Sequence, residues 1–149
     1  MKVLALIDGS KWSQKAALYA FSVARGRKAK VVLFSALDRR EARVIAFQLS
    51  MRRGSVKEME QFEETAWKEM KKGVKEILTA LLELARDEGI NCSIKIVEGD
   101  AKESILREAN SGSYNLVVMG AYGKSGKTRI GSLLEEVIGL INPPVMVVR

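Results

Sequence analysis

The chain has 149 residues and is basic: 25 lysines and arginines against 18 aspartates and glutamates give a formal net charge of +7. It contains no histidine and one cysteine, Cys92. These counts exclude histidine-dependent nucleophile systems, histidine-ligated metals, cysteine-rich zinc sites and a disulfide within the chain. The positive charge favours anionic ligands, and the length predicts a single domain over residues 1–149.

No apolar run approaches the roughly 20 residues that a membrane-spanning helix requires. The opening segment, MKVLALIDGS, has five apolar residues between Lys2 and Asp8, which is too few for the core of a signal peptide. We therefore expect a soluble, cytoplasmic protein with no membrane partner.

Short apolar runs alternate along the chain with segments of helical periodicity. The runs predict buried strands at 3–7, 31–34, 94–97, 116–119 and 145–148. Between them, apolar residues that recur every three or four positions predict helices at 11–25, 59–88, 101–110 and around 133–141. Ser10 and Asp100 are the expected N-caps, and Gly26 and Gly89 the expected helix ends.

This alternation predicts an α/β fold with an open parallel sheet of five strands and helices on both faces. Residues 39–55 fit no element of the pattern, and five arginines lie between positions 39 and 53. One interpretation is a helix that covers the edge of the sheet. The other is a mobile basic lid over bound phosphates. We favour the helix that covers the edge of the sheet.

A glycine-rich segment, GAYGKSGKTRIGS at 120–132, follows the fourth strand and leads into the last helix. Ligands of open parallel sheets bind outside the carboxyl ends of strands. Glycines let backbone N–H groups face an anion, and a helix N-terminus adds further N–H groups. Lys124, Lys127 and Arg129 add positive charge. We therefore predict a phosphate-binding loop rather than a surface loop that is rich in glycine by chance.

Within this loop, AYGKSGKT at 121–128 resembles a Walker A motif with alanine in place of the first glycine. A P-loop NTPase also needs an acidic strand end for magnesium. The only strand predicted after the loop ends in Arg149, without an acid. A P-loop-like ATPase is therefore a weaker alternative.

Five stretches of the chain carry a resemblance to a known family: VLALIDGS at 3–10, FSALD at 34–38, VEGDA at 97–101, LVVMGAYG at 116–123 and PVMVV at 144–148. Together they resemble the universal stress protein family over nearly the whole chain. The resemblance implies a Rossmann-like fold of the adenine nucleotide alpha hydrolase type, with strand order 3-2-1-4-5. Asp8 and Gly120 would then lie at the ends of adjacent strands.

ATP-binding members of this family have a loop of glycine, two residues, glycine, nine residues, glycine, and serine or threonine. Gly120, Gly123, Gly131 and Ser132 match its fixed positions, but seven residues instead of nine separate Gly123 from Gly131. The resemblance implies that these four residues hold the phosphates and ribose of ATP.

Two further residues enter the predicted site through the resemblance. The backbone of Ala36 would contact the edge of the adenine. Asp8 would lie beside the adenosine or a Mg²⁺ or Mn²⁺ ion that accompanies the nucleotide. An equally weighted interpretation of Asp8 is structural, because its carboxylate can cap the turn at Ser10.

The leading functional hypothesis is a stress or signalling module that binds ATP and hydrolyses it slowly or not at all. The loop contains no acid or glutamine to orient water, so we assign no catalytic residue. The competing hypothesis is a dimeric interaction protein of the same family that binds no nucleotide, which the short spacer favours. We do not favour nucleic-acid binding, because only the net charge supports it.

We expect a homodimer through the last strand, PVMVV at 144–148, because an apolar edge strand associates unless it is covered. Trp12 and Trp67 are expected to be packing residues, and Cys92 is expected to be buried and inert.

Overall fold

The structure is a computed structural model that describes residues 1–54, 56–122 and 136–149. Within these ranges it contains the strands β1 (Lys2–Leu6), β2 (Lys30–Leu37), β3 (Asn91–Glu98), β4 (Leu116–Gly120) and β5 (Val145–Val148). Its helices are α1 (Lys11–Ala24), α2 (Arg39–Arg53), α3 (Met59–Asp87) and α4 (Ala101–Ala109). All strands are parallel, in the order β3-β2-β1-β4-β5, which confirms the predicted fold class.

Strand β1 shows why both faces of the sheet are covered. Val3 and Ala5 lie in one core cluster with residues of α1 and α3, whereas Leu4 and Leu6 lie in a second cluster with residues of α4. Successive side chains of a strand point to opposite faces. An unbroken apolar run is therefore what a strand in the middle of such a sheet requires. Each fully buried valine or leucine side chain contributes about 1.5–3 kcal/mol.

The predicted helix ends are confirmed. Ser10 precedes α1, and its Oγ accepts a hydrogen bond from the backbone N–H of Ser13 at 3.1 Å. Gly26 and Gly89 follow the C-caps of α1 and α3 with φ angles of 75° and 72°, a conformation that glycine adopts without a steric penalty. Trp67 is buried in the core at 5% exposure, as predicted.

Residues 39–53 form the regular helix α2, which packs mainly against α3 and not over the edge of the sheet. The side chains that face inward are small: Ala42, Ala46 and Ser50 are buried. Phe47 and Met51 are 55% and 65% exposed. The apolar residues of this segment show no clear helical period, because the larger ones are exposed and the buried positions are alanine and serine.

The two edges of the sheet are β3 and β5. Ile96 on β3 and Val147 on β5 are 40% and 39% exposed. The alternating pattern at 94–97 suggested greater exposure on one face, but Lys95 and Ile96, which are neighbours and point to opposite faces, are both exposed. Strand β3 is therefore partly exposed on both faces. Among the described residues, no helix is both long enough and apolar enough to cross a membrane.

Asp100 is the N-cap of α4, and its carboxylate accepts a hydrogen bond from the backbone N–H of Glu103 at 2.9 Å. The carboxylate also forms an ion pair with Arg40. The hydrogen bond from Glu103 and the contact with Arg40 hold the pKa of Asp100 below its usual value. Because the pKa is lower in the folded chain than in the unfolded one, this stabilisation is present above about pH 4 and is lost as the pH falls.

We predict that Asp100→Ala lowers the free energy of unfolding by about 1 kcal/mol near neutral pH, because the cap is lost. Asp100→Asn keeps an oxygen acceptor for the Glu103 N–H but does not titrate. The stability difference between the parent protein and Asp100→Asn should therefore stay nearly constant from about pH 7 to about pH 5 and should narrow as the pH falls below about 4. Urea unfolding at a series of pH values measures this difference, and a gap that stays constant over the range would contradict the prediction.

Candidate functional site

The carboxyl ends of the parallel strands meet at one edge of the sheet, and polar or glycine residues stand at four of them. Asp8, Asp38 and Asp100 follow β1, β2 and β3, and Gly120 ends β4. Strand β1 pairs with both β2 and β4. The strand order therefore reverses between β1 and β4, which is where open α/β sheets bind ligands.

Asp8 forms the turn that connects β1 to α1. Its Oδ1 accepts a hydrogen bond from the backbone N–H of Ser10 at 2.9 Å, and its own N–H donates to Ser13 Oγ at 3.2 Å. Gly9, with φ at 88°, provides the left-handed residue of the turn. These bonds confirm the structural interpretation of Asp8, and the half-buried side chain lies at the strand end where the ligand was predicted.

No group of three or more cysteine, aspartate or glutamate side chains that could hold a metal ion occurs in the part of the chain that the structure describes.

Gly120 lies directly against the first turn of α1. A Cβ atom at this position would be 2.9 Å from both the carbonyl carbon and the Cβ of Trp12, and 3.0 Å from its carbonyl oxygen. These distances are shorter than real Cβ contacts, so the helix can approach β4 this closely only if residue 120 is glycine. Close packing is thus a reason for Gly120 that the sequence analysis missed.

The Trp12 side chain contacts Tyr122, which lies just beyond β4. The ring centroids are 5.0 Å apart at an interplanar angle of 61°, a favoured edge-to-face arrangement. The ammonium groups of Lys11 and Lys15 lie 4.9 Å and 5.4 Å from the centroid of the Trp12 ring. Trp12 is half-buried and packs against Tyr122 outside both core clusters. No sequence periodicity links Trp12 to Tyr122.

Arg40 joins the ends of β2 and β3. Its Nη2 lies 2.6 Å from Asp38 Oδ2, and the same group contacts the Asp100 carboxylate. The hydrogen bonds to Asp38 and Asp100 raise the pKa of Arg40 above its usual value. Ala36 lies two residues before Asp38, is half-buried and is paired in register with Val97. The predicted adenine contact therefore lies at the same edge as Asp8.

The remaining predicted site residues, Gly123, Lys124, Lys127, Gly131 and Ser132, lie outside the described residues, because the structure does not describe 123–135. The structure thus brings Asp8, Ala36 and Gly120 to one edge of the sheet. Cys92 lies on β3, away from this edge. Cys92 is half-buried and not fully buried as expected. The partial burial raises the pKa of its thiol to about 11, which keeps the thiol neutral near pH 7.

We predict that Gly120→Ala destabilises the protein by about 1–3 kcal/mol, because the new methyl group would collide with the backbone of Trp12. Gly73 is a matched control, since it lies inside α3 and a Cβ there has no neighbour within 4 Å. Gly73→Ala should stabilise the protein by up to about 1 kcal/mol through helix propensity. Thermal and urea unfolding of both variants tests the pair, and equal effects on stability would show that the contact at Gly120 is not tight.

Comparison with known proteins places the fold among established structures. The sequence model that describes the universal stress protein family matches this chain over residues 1–149. Universal stress protein MJ0531 of Methanocaldococcus jannaschii is 29% identical over 150 residues, which are 99% of this chain and 81% of that protein. The solved structure of hypothetical protein MJ0577 matches with a TM-score of 0.76 and 24% identity, over 99% of this chain and 94% of that one.

The universal stress protein of Archaeoglobus fulgidus, solved in complex with dAMP, matches with a TM-score of 0.66 and 19% identity, over 100% of this chain and 98% of that one. These comparisons confirm the fold and the resemblance that the sequence motifs indicated.

Proposed function

The chain belongs to the universal stress protein family, and from this premise we propose that it binds an adenine nucleotide, ATP in particular, at the carboxyl edge of the sheet. One observation carries the proposal: β1 pairs with β4, so Asp8 and the start of the 120–132 loop lie at adjacent strand ends where the strand order reverses. The dAMP complex of a protein with the same fold supports it.

The residues of the proposed site divide by the part of the nucleotide that they would contact. The adenosine would lie between Asp8 and Ala36, whose strands are paired. Phosphates and ribose would lie along the loop. There the contacts would come from glycine backbone, lysine ammonium groups and one hydroxyl: Gly120, Gly123, Lys124, Lys127, Gly131 and Ser132. A Mg²⁺ or Mn²⁺ ion would reach Asp8 together with the phosphates.

We predict that calorimetry with ATP and magnesium gives saturable binding, and that Gly123→Val abolishes it. The reason is that a β-branched side chain would occupy space where backbone must approach a phosphate. Gly73→Val places the same side chain on α3, at a position with no neighbour within 4 Å of its Cβ, and should leave binding intact. If the parent protein binds no ATP up to about 1 mM, the alternative of an interaction protein without nucleotide is the better one, as the seven-residue spacer would suggest.

We further propose that the bound nucleotide is held and not rapidly consumed, because the loop lacks an acid or glutamine that could orient water. Phosphate release should therefore be slower than about one per second. A coupled phosphate assay with saturating ATP measures it. A faster rate that disappears when Glu135 or Glu136 is replaced by glutamine would show that the protein is an ATPase.

We also propose that two copies of the chain form a homodimer through β5. This strand is an edge of the sheet and carries the apolar sequence VMVV. On its inner side, the carbonyl oxygens of Pro144 and Val148 accept hydrogen bonds from Val117 and Ala121, at 2.9 Å and 2.8 Å. The N–H and C=O groups of successive residues in a strand point in alternate directions. The backbone groups of Met146 therefore also point toward β4, while those of Val145 and Val147 point away from the sheet. An antiparallel second copy would satisfy the outward groups and close the assembly.

We predict that Val147→Pro, which removes an outward-facing N–H donor, converts the dimer into a monomer. Val147→Ala retains the donor and should leave the dimer intact. Light scattering at micromolar concentration measures the mass of each variant. A monomeric parent protein, or a dimer that survives Val147→Pro unchanged, would contradict pairing through β5.

A further inference from the structure

Two contacts tie the first turn of α1 to the chain segment that leads into the glycine-rich loop. The backbone of Trp12 lies 2.9 Å from where a Cβ of residue 120 would be. The Trp12 ring meets the ring of Tyr122, two residues further on, with centroids 5.0 Å apart. One residue of α1 therefore contacts both Gly120, the end of β4, and Tyr122, the second residue after it.

Trp12 is itself held on a rigid element. Its helix begins at a turn in which Ser10 and Ser13 exchange hydrogen bonds, with Ser13 N–H donating to Ser10 Oγ and Ser13 Oγ donating to the Ser10 carbonyl at 2.9 Å. The inner face of α1 is buried in the core through alanines and Phe21. Lys11 and Lys15 lie close to the Trp12 ring through cation–π contacts. The backbone of Trp12 is therefore held in α1 independently of the Tyr122 ring that its side chain contacts.

The Trp12–Tyr122 pair adds less to the core than the deeply buried aromatic residues do. Trp12 and Tyr122 are only partly buried, whereas Phe21 and Phe34 are 1% exposed. The turn that carries Trp12 is also not built for maximum helix stability. Lys11 and Lys15 are like charges four residues apart near the positive end of the helix, and the first turn contains no acid. Departures of this kind from local stability rules are typical of functional positions.

We propose that Trp12 is a positioning residue for the nucleotide site. Through its contacts with Gly120 and Tyr122 it fixes the end of β4 from which the 120–132 loop starts. In this way it sets the affinity for the nucleotide without contacting the nucleotide itself. This inference rests on the proposed function. It adds a residue outside the loop to the set that determines nucleotide affinity.

The experiment is a double-mutant cycle on ATP affinity, measured by calorimetry with magnesium. Trp12→Ala and Tyr122→Ala should each weaken binding about five- to tenfold, the factor that corresponds to loss of an aromatic pair. The double variant should be no weaker than either single one, because both remove the same contact. Trp12→Phe keeps a ring and should restore most of the affinity. Melting temperatures of the parent protein and of all four variants control for loss of the fold.

A spectroscopic signal tests the same contact. The chain has two tryptophans, so in a Trp67→Phe background Trp12 is the sole source of tryptophan emission. Its emission should change when the protein is saturated with ATP. When Tyr122 is also replaced by alanine, saturation with ATP should leave the emission unchanged. Unaltered affinity in Trp12→Ala, or effects of the two substitutions that simply add, would overturn the proposal.

A nucleotide-free measurement separates this inference from the proposed function. Trypsin cleaves after lysine, and Lys124 and Lys127 follow Tyr122 closely in sequence. Cleavage at these lysines should be at least about threefold faster in Trp12→Ala and Tyr122→Ala than in the parent protein and in Trp12→Phe, because local opening governs the rate. Equal cleavage rates would overturn the positioning role even if ATP binds. If the parent protein binds no ATP, the proposed function fails, while faster cleavage would still show that Trp12 holds the segment.

Discussion

Burial of β1 on both faces is the constraint on which the rest of the structure depends. Its side chains enter two separate cores in alternation, so helices must cover both faces of the sheet. Helical crossovers keep all strands parallel, and parallel strands end at the same edge. Asp8, Asp38, Asp100 and Gly120 are distant in sequence and come to one edge for this reason alone. The candidate site is thus a consequence of how the core is built.

Gly120 at the end of β4 has a second role, because α1 lies very close to the sheet there. Alanines such as Ala16 and Ala20 let the helix lie near the strands, and Gly120 continues this close packing at the first turn of the helix. A glycine that opens a phosphate-binding loop and a glycine that admits a helix backbone look identical in a sequence. Only the 2.9 Å distance to Trp12 reveals the packing role. The two roles are compatible, because both require backbone without a side chain at the same strand end.

Much of the fold could be predicted from the sequence, because burial imposes periods that apolar residues display directly. The limits of α3 and α4 agree with their patterns to within one residue. Helix α2 was less clear, since its buried positions are Ala42, Ala46 and Ser50 while Phe47 is exposed. The strand order came from the family resemblance, because periodicity carries no information about which strands are neighbours. The contact between Trp12 and Tyr122 lay beyond the sequence analysis for the same reason.

The positive charge of the chain acts differently in different parts of the fold. On α2, Arg39 and Arg43 form ion pairs with Glu63 of α3, and Arg40 is bound between two aspartates. Exposed pairs of this kind contribute little to stability, but they commit Arg39, Arg40 and Arg43 to carboxylates of the chain itself. A cation–π contact leaves the charge of the cation unneutralised, and Lys11 and Lys15 are held in this way beside Trp12. Arg53 and Lys71 are held in the same way over Phe62 and Trp67. Positive charge that no carboxylate neutralises therefore lies at several places in the described part of the chain, and one of them is the end of the sheet where α1 meets Gly120.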